Sequence, residues 1–292
     1  MPQSGGEIMA LACALCWAIA VILFRNVGMA DPKAMNIFKN TVASALLLIT
    51  MWATGRHFDT QRSAEDWVRL IGSAALGLSI ADTFFFMGLQ RVGASVAAVA
   101  DCAYSPTVLT LSMLFLGETL RDGLLIGAPL VVAGLCVVAW ERPAKMGLKL
   151  DRMGLIYCVL GVCTTAVAVV VAKPALNRSD LVEATTVRLL AGALLLVGWG
   201  AVGGSLKVGL SLFRPQPVWR TLLPATVIGT YFSMLLWLGG IKYTTASRAA
   251  LLNQMGSVFA LIFAAWTGEL IPKRRWLGAT LAICGALAVL AW

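Results

Sequence analysis

Ten long apolar stretches divide almost the whole of this chain, and they leave very few folds open to it. Each approaches the roughly 20 residues that an α-helix needs to cross a bilayer. They contain glycine and alanine and show no alternation of polar and apolar residues, which argues against the strands of a membrane barrel. The predicted fold is an all-α integral membrane protein with spans near residues 8–24, 35–53, 68–89, 93–115, 123–140, 152–172, 184–202, 220–239, 245–267 and 274–291.

The composition agrees with a chain that lies in lipid. Of the 292 residues, 59% are hydrophobic and 13% are charged, and the mean hydropathy is +0.84. Water-soluble domains do not have these values. The longest segments between the stretches, about 54–67, 141–151 and 203–219, leave no room for a soluble catalytic domain. The first stretch follows MPQSGGE, which has no Lys or Arg, and it is predicted to be a permanent helix and not a signal peptide.

The second half of the chain repeats motifs of the first. GETLRDGLLIGAPLVVAG begins at Gly117 and GELIPKRRWLGATLAICG at Gly268, 151 residues later (268 − 117). Because each half has an odd number of spans, the copies are predicted to cross the bilayer in opposite directions. Inverted repeats of this kind build transporters whose site lies between the copies near mid-bilayer. The predicted units are a first repeat, 1–141, a basic linker, 142–151, and a second repeat, 152–292.

The net charge of +9 is interpreted as a topological signal. The basic residues lie between the stretches and form no stripe with aromatic residues, so no nucleic-acid partner is predicted. Odd-numbered loops hold fourteen Lys and Arg and even-numbered loops hold eight, and the positive-inside rule then places both termini outside. The seven cysteines lie in predicted spans and the one histidine, His57, lies in a loop, so no metal or other cofactor is predicted.

These features resemble the EamA family of the drug/metabolite transporter superfamily. The resemblance is carried by Cys16-Trp17, Ala94-Ser95 through Pro106, Gly117-Glu118, Ala246-Ser247, Gly268-Glu269 and Gly278. It implies a ten-helix transporter of small metabolites, such as amino acids, amines or amphipathic drugs, in a cell membrane, here the bacterial inner membrane. The partners implied are the lipid bilayer and the small-molecule substrate. Because an inverted pair is complete in one chain, a monomer is expected to function.

Polar residues inside the apolar stretches are the candidate site residues, because a charge within the bilayer persists only when it is paired or used. Asp101 lies on a face of small and polar residues in the fourth stretch. It is interpreted as a carboxylate for a proton, a cation or a substrate ammonium, with a buried ion pair as the alternative. Asn253 stands at the corresponding position of the second copy (253 − 101 = 152), and Gln254 follows it. The site is therefore predicted to be asymmetric.

Further candidates lie on other stretches. Arg188 either holds a substrate carboxylate or neutralises Asp82 or Asp101. Trp17 and Tyr104 lie well inside their stretches, where an indole N–H or a phenol requires a partner, and they either line a cavity or pack. The predicted substrate-binding set is Asp101, Arg188, Asn253, Gln254, Trp17, Tyr104 and Asp82, with Asp101 as the candidate for proton coupling.

Other repeated residues are interpreted as structural. Glu118 and Glu269 follow glycines at the ends of the fourth and ninth stretches, where each is expected to satisfy N–H groups at the start of the next helix. Gly127 and Gly278 each stand seven residues before another glycine, Gly134 and Gly285, and such a stripe favours close helix packing. A kink is expected at Pro106, beside Asp101.

The function predicted from these observations is secondary transport by alternating access, with export as the direction. The chain has no Gly-x-x-x-x-Gly-Lys motif, which disfavours ATP coupling and leaves ion coupling or facilitated diffusion. One alternative is a membrane scaffold or sensor that transports nothing. An intramembrane enzyme would need a nucleophile with a base or paired carboxylates, and the sequence offers no such set.

Overall fold

The computed structural model describes residues 3–25, 27, 32–119, 122–139, 151–204, 206–266 and 271–291, and every regular element within these ranges is a helix. The α-helices are α1 (Gln3–Arg25), α2 (Pro32–Ala53), α3 (Ala64–Ala74), α4 (Asp82–Asp101), α5 (Tyr104–Leu116), α6 (Asp122–Ala139), α7 (Arg152–Arg178), α8 (Leu181–Val202), α9 (Leu206–Gly209), α10 (Trp219–Thr226), α11 (Ser233–Tyr243), α12 (Ala246–Asn253), α13 (Gly256–Trp266) and α14 (Lys273–Ala291). Two π-helical segments, Ala75–Ala81 and Val227–Phe232, and a 3₁₀ turn, Ser211–Phe213, complete the set.

Nine helical stretches of the described residues are long and apolar enough to cross a bilayer, with mean hydropathies from 1.3 to 2.5. They are Ser4–Phe24, Ala34–Ala53, Ala64–Leu89, Val96–Leu116, Arg152–Arg178, Leu181–Val202, Trp219–Tyr243, Ala246–Trp266 and Lys273–Ala291. A shorter apolar helix, Gly123–Ala139, occupies the fifth predicted stretch. The chain is therefore an all-α membrane protein, and a tenth span stays a prediction.

Side-chain caps fix where several helices begin. Asp180 Oδ1 accepts hydrogen bonds from the N–H groups of Val182 and Glu183, at 3.0 and 3.1 Å, at the start of α8. The helices α3, α7 and α12 are capped in the same way by Ser63, Asp151 and Thr245. Such caps satisfy N–H groups that have no partner within the helix and are each worth about 1 kcal/mol. The loops at these helix starts are therefore held in defined positions.

The N-terminal half (described within residues 3–139) and the C-terminal half (described within residues 151–291) pack against each other through several helices. Helix α1 contacts α11, α12 and α13, while α7 contacts α4 and α5. The first span of each half thus lies against the third and fourth spans of the other. Helices α2 and α8 form another contact between the halves, and α6 and α14 form a third.

The third and fourth spans of the N-terminal half both flank α7. A Cβ on Gly161 would lie 2.7 Å from the backbone nitrogen of Phe85, and Thr107 Oγ1 lies 3.9 Å from Cys163 Sγ. Since Gly161 and Cys163 are neighbours on α7, the chain must reverse direction between Phe85 and Thr107. The reversal brings the start of the fourth span back into the bundle.

Glycines allow the backbones of α6 and α14 to touch. A Cβ on Gly134 would lie 2.5 Å from both Ala282 N and Gly278 O, and one on Gly127 would lie 2.5 Å from Gly285 O. A Cβ on Gly278 would lie 2.7 Å from Gly134 O. Small residues permit such close packing of membrane helices. The two helices therefore form a tight pair that joins the halves.

Each half contains a π-helical segment in its third span, and the two start 152 residues apart (227 − 75). The first, Ala75–Ala81, runs directly into Asp82 of α4. Single π turns inside α-helices are uncommon and frequently lie at functional sites. The matched segments therefore point to the third spans as parts of the functional region.

Candidate functional site

The fourth span of the N-terminal half is interrupted directly after Asp101. Helix α4 ends there, and α5 begins at Tyr104. Between them, the N–H groups of Cys102 and Ala103 donate to the carbonyls three residues earlier, at 3.2 and 3.0 Å. In an α-helix they would donate to the carbonyls four residues earlier. Pro106 accounts for the position, because a proline ring clashes with the carbonyl of the fourth residue before it, here Cys102. The interruption follows the residue that the sequence singled out.

The fourth span of the C-terminal half is interrupted at the matching place. Helix α12 ends at Asn253 and α13 begins at Gly256, so the interruptions lie 152 residues apart (253 − 101). The Met255 N–H bonds to Leu252 O at 3.1 Å, again three residues back. No proline follows at the position that corresponds to Pro106, where the chain has Val258. A tight turn within a helix often marks a hinge.

Gln254 joins the two interruptions. Its Nε2 donates to the Asp101 carbonyl at 2.7 Å, and its Oε1 accepts from Ser105 Oγ at 2.9 Å. Both ends of this amide are therefore occupied by groups that flank the interruption of the other half. Gln254 is buried, and in this conformation it holds the two interrupted helices together.

The side chains of Asp101 and Asn253 retain capacity for further partners. Asp101 is exposed although it lies five residues into the span Val96–Leu116 (101 − 96), and no described residue forms an ion pair with it. Asn253 Oδ1 is buried and has no hydrogen-bond partner. Trp17, 44% exposed, lies beside the second interruption, because a Cβ on Gly256 would be 3.8 Å from Trp17 Cδ1.

Arg188 is among the most deeply buried large side chains, at 1% exposed. Its Nη1 donates to Ser73 Oγ, and its Cζ lies 5.9 Å from the ring centroid of Trp237. The structure therefore pairs Arg188 with neither Asp82 nor Asp101 as an ion pair. Tyr104 is also buried and lies near both Asp101 and Arg188.

Asp82 belongs to a separate polar group between the second and third spans. Asn36 and Lys39 of α2 lie within its interaction range. Asn36 is buried and its Oδ1 also accepts from Asn40 Nδ2 at 3.1 Å. This group contains a charge of each sign, which suits an internal ion pair as well as a binding site.

Glu118 caps a helix of the opposite half. Its carboxylate accepts from the N–H groups of Ala246 and Ser247, at 2.7 and 3.2 Å, and from Ser247 Oγ at 2.6 Å. We expected it to cap the helix that follows it. The structure places it at the start of α12, against which α5 packs. Negative charge is favourable there. Its counterpart Glu269 lies outside the described residues.

A polar network that was not predicted from the sequence closes one end of the bundle. This end is here called the N-terminal face because it holds the start of α1. Five contacts within it join the two halves, and they are Glu7–Arg248, Arg56–Asp180, Arg62–Glu183, Asp66–Arg178 and Glu118–Ser247. The Glu7–Arg248 pair is 2.6 Å long and less than a tenth exposed on both sides. Partners so far apart along the chain leave no local sequence pattern.

Lysines add to the N-terminal face within the C-terminal half. Lys173 of α7 donates to the carbonyls of Ile241 and Thr244 at the end of α11. Lys242 of α11 donates in return to Leu176 O at the end of α7, at 2.8 Å. Positive charge is favourable at helix C-termini, so each lysine stabilises the end of the other's helix.

A mainly apolar cavity of about 300 Å³ lies next to the first interruption. It is lined by Ser105, Pro106, Leu109, Leu124, Leu125, Ala128, Pro129, Val132 and Leu251. In the part of the chain that the structure describes, no group of three or more His, Cys, Asp or Glu side chains could hold a metal ion.

Comparisons with known proteins give a consistent result. The model of the EamA-like transporter family matches residues 4–140 and again residues 152–291. An uncharacterized transporter of Archaeoglobus fulgidus is 26% identical over 262 residues, which cover 88% of this chain and 87% of that protein. An uncharacterized transporter of Synechocystis sp. is 24% identical over 282 residues, covering 90% and 82%. One crystal structure shares the fold, with a TM-score of 0.80 at 18% identity over 98% of this chain and 96% of the other.

Proposed function

This chain belongs to the EamA-like transporter family, and from that membership we propose that it is a secondary transporter which exports small metabolites by alternating access. Family and relatives together establish a membrane transporter. The substrate class, the direction and the coupling are the proposal. The observation that carries it is the pair of matched helix interruptions, at Asp101 and at Asn253, which Gln254 joins.

The architecture proposed is two inverted repeats, 1–141 and 152–292, joined by the linker 142–151, with ten spans. The family model matches both halves, and π-helical segments and interruptions recur at an offset of 152 residues (227 − 75 and 253 − 101). The contacts of each first span with the other half's third and fourth spans suit a pseudo-two-fold axis in the membrane plane.

Alternating access is supported by the contacts that close one end of the bundle. The N-terminal face is closed by five polar contacts between the halves. This conformation is proposed to be closed at the N-terminal face, so transport requires a second conformation in which these contacts separate.

The substrate site is proposed to lie between the two interruptions. Asp101 would receive a proton or a cationic group, and Asn253 would hydrogen-bond the substrate from the other half. Trp17 and Tyr104 would form apolar walls with one polar edge. Gln254 is proposed to meet the substrate when the helices separate, and Asp82 and Arg188 complete the proposed binding set.

Export is supported by topology. If both termini lie outside the bacterial inner membrane, the closed N-terminal face is external. Substrate then reaches Asp101 from the cytoplasm, which is the loading state of an exporter. A complete site within one chain suits a monomer.

The test is transport in proteoliposomes under an imposed pH gradient, with a panel of radiolabelled amino acids and amines. The wild type is expected to move at least one panel member, and Asp101→Asn to abolish the gradient-driven component without lowering the melting temperature. Glu65→Gln, which neutralises an exposed carboxylate (65%) paired within its own helix, is the control. Unchanged transport by Asp101→Asn would remove Asp101 from the mechanism, and no flux for the whole panel would favour a scaffold.

A further inference from the structure

One edge of the Arg188 guanidinium has no partner. The Nη1 group on the other edge donates to Ser73 Oγ. Both Nε and Nη2 are fully buried and have no hydrogen-bond acceptor. A buried donor without an acceptor is costly and uncommon in folded proteins. Two such donors on one charged group therefore require an explanation.

The unpartnered edge has the geometry that binds carboxylates. In a guanidinium, the Nε–H and one Nη2–H bond lie side by side in one plane and point in the same direction. They match the two oxygens of a carboxylate, which accept in parallel. The bond to Ser73 uses the remaining nitrogen, so the hydroxyl fixes the plane without occupying this edge.

The surroundings of Arg188 suit one negative charge. None of the ion pairs among the described residues includes Arg188. The Tyr104 hydroxyl is also buried. The Trp237 indole, whose ring faces the guanidinium, interacts with it through an N–H that can only donate, so the Tyr104 hydroxyl proton has no acceptor among the described residues. A single cation with a phenol donor balances a carboxylate, whereas a doubly charged phosphate would keep an uncompensated charge.

A π-helical segment borders the same edge. A Cβ on Gly77, in the segment Ala75–Ala81, would lie 3.9 Å from Arg188 Nη2 and 3.2 Å from the Ala168 side chain. Because Gly77 has no side chain, it presents its backbone, and not an apolar side chain, to the guanidinium. Arg188 is enclosed in this conformation, so a ligand reaches it only when the helices around it move.

We propose that Arg188 and Tyr104, with Ser73 and Trp237 positioning the guanidinium, bind the carboxylate of the transported molecule. The inference rests on the proposed function and narrows its substrates to molecules with a carboxylate group. Asp101, which is also near Tyr104, receives the opposite end of the molecule. Neutral amines and uncharged drugs are then poor substrates.

Benzoate and its uncharged counterpart benzamide test the proposal, because they differ only at the carboxylate. Binding to the purified full-length protein in detergent micelles is measured by the shift in melting temperature across a concentration series. Benzoate is expected to raise the melting temperature of the wild type. Benzamide is expected to bind at least tenfold more weakly, so that it needs at least a tenfold higher concentration for the same shift. Arg188→Gln is expected to lose at least tenfold in benzoate affinity, while the exposed-site control Arg69→Gln keeps wild-type affinity.

Arg188→Lys keeps the charge but not the two-pronged edge, and it carries the test if Arg188→Gln does not fold. It is expected to lose most of the benzoate affinity. Equal shifts for benzoate and benzamide, or wild-type benzoate affinity in the Arg188 variants, would overturn the proposal. In that case the proposed function would still stand if the protein transported an amine without a carboxylate and Asp101→Asn abolished this transport. Arg188-dependent benzoate binding in a protein that moves no solute would reject the proposed function alone.

Discussion

Arg62 and Glu183 form an ion pair, with 2.8 Å between Arg62 Nη2 and Glu183 Oε2, whose side chains are only 2% and 4% exposed. The pair joins the N-terminal half to the C-terminal half. Glu183 Oε1 also accepts from the Asp59 N–H at 2.6 Å, and the Arg62 guanidinium lies 4.8 Å from the centre of the Trp67 ring. The pair is thus the most enclosed of the contacts that close the N-terminal face. Under alternating access, it must separate whenever that face opens.

Removing one partner of this pair should open the N-terminal face more often. Glu183→Gln leaves Arg62 as an uncompensated buried charge, a change that typically costs about 3–5 kcal/mol. A Thr244→Cys label site, buried in this conformation, is placed in a background without the native cysteines. Its reaction with a membrane-impermeant maleimide is expected to accelerate in Glu183→Gln. The measurement is the labelling rate in proteoliposomes.

The control for this experiment is Arg69→Gln, which breaks an exposed pair with Glu65 inside one helix. Such pairs contribute about 0.3–0.5 kcal/mol, so its labelling rate should stay at the wild-type value. The double variant Arg62→Gln/Glu183→Gln should be less affected than either single variant, because it buries no lone charge. Equal labelling rates in Glu183→Gln and wild type would show that the pair does not keep the face closed.

The Glu118 carboxylate should stabilise the protein through the start of α12. Glu118→Ala removes the acceptor for Ala246 N, Ser247 N and Ser247 Oγ, and loss of a helix cap costs about 0.5–2 kcal/mol. A lower melting temperature in micelles is expected. Ser247→Ala, which removes one of the three donors, should have a smaller effect. If Glu118→Ala melts at the wild-type temperature, the cap is not a stabilising contact.

Close contact between α6 and α14 should make Gly134 intolerant of a side chain. In Gly134→Ala the new Cβ would meet Ala282 N and Gly278 O at 2.5 Å, so the helices must move apart, at a cost of about 1–3 kcal/mol. Gly198→Ala is the matched control, because a Cβ there meets nothing within 4 Å. The two variants are compared by melting temperature in micelles. Equal melting temperatures would contradict the close approach.

The parts of this structure that follow from local patterns could be predicted from the sequence. Apolar length gives nine of the ten predicted spans. The repeat offset of 152 residues aligns Asp101 with Asn253 (253 − 101), which the structure places at two interrupted helices. Pro106 gave a local reason for only one of these interruptions. Residues whose role depends on packing could not be assigned. The partner of Glu118 is α12 because α5 packs there, and Arg62 and Glu183 stand 121 residues apart (183 − 62).

Gln254 should couple the two interrupted helices. Gln254→Leu is similar in size but leaves the Asp101 carbonyl and Ser105 Oγ without their partner, which costs about 1–3 kcal/mol for each buried polar group. We expect a lower melting temperature in micelles and slower transport in proteoliposomes. Ser105→Ala is the control, because it removes the bond to Gln254 Oε1 and leaves the 2.7 Å bond from Gln254 Nε2 to the Asp101 carbonyl. Its melting temperature and its transport rate should therefore fall less than those of Gln254→Leu. Because this amide bridges the two interruptions, a Gln254→Leu variant with wild-type stability and transport would show that the helices move independently of it.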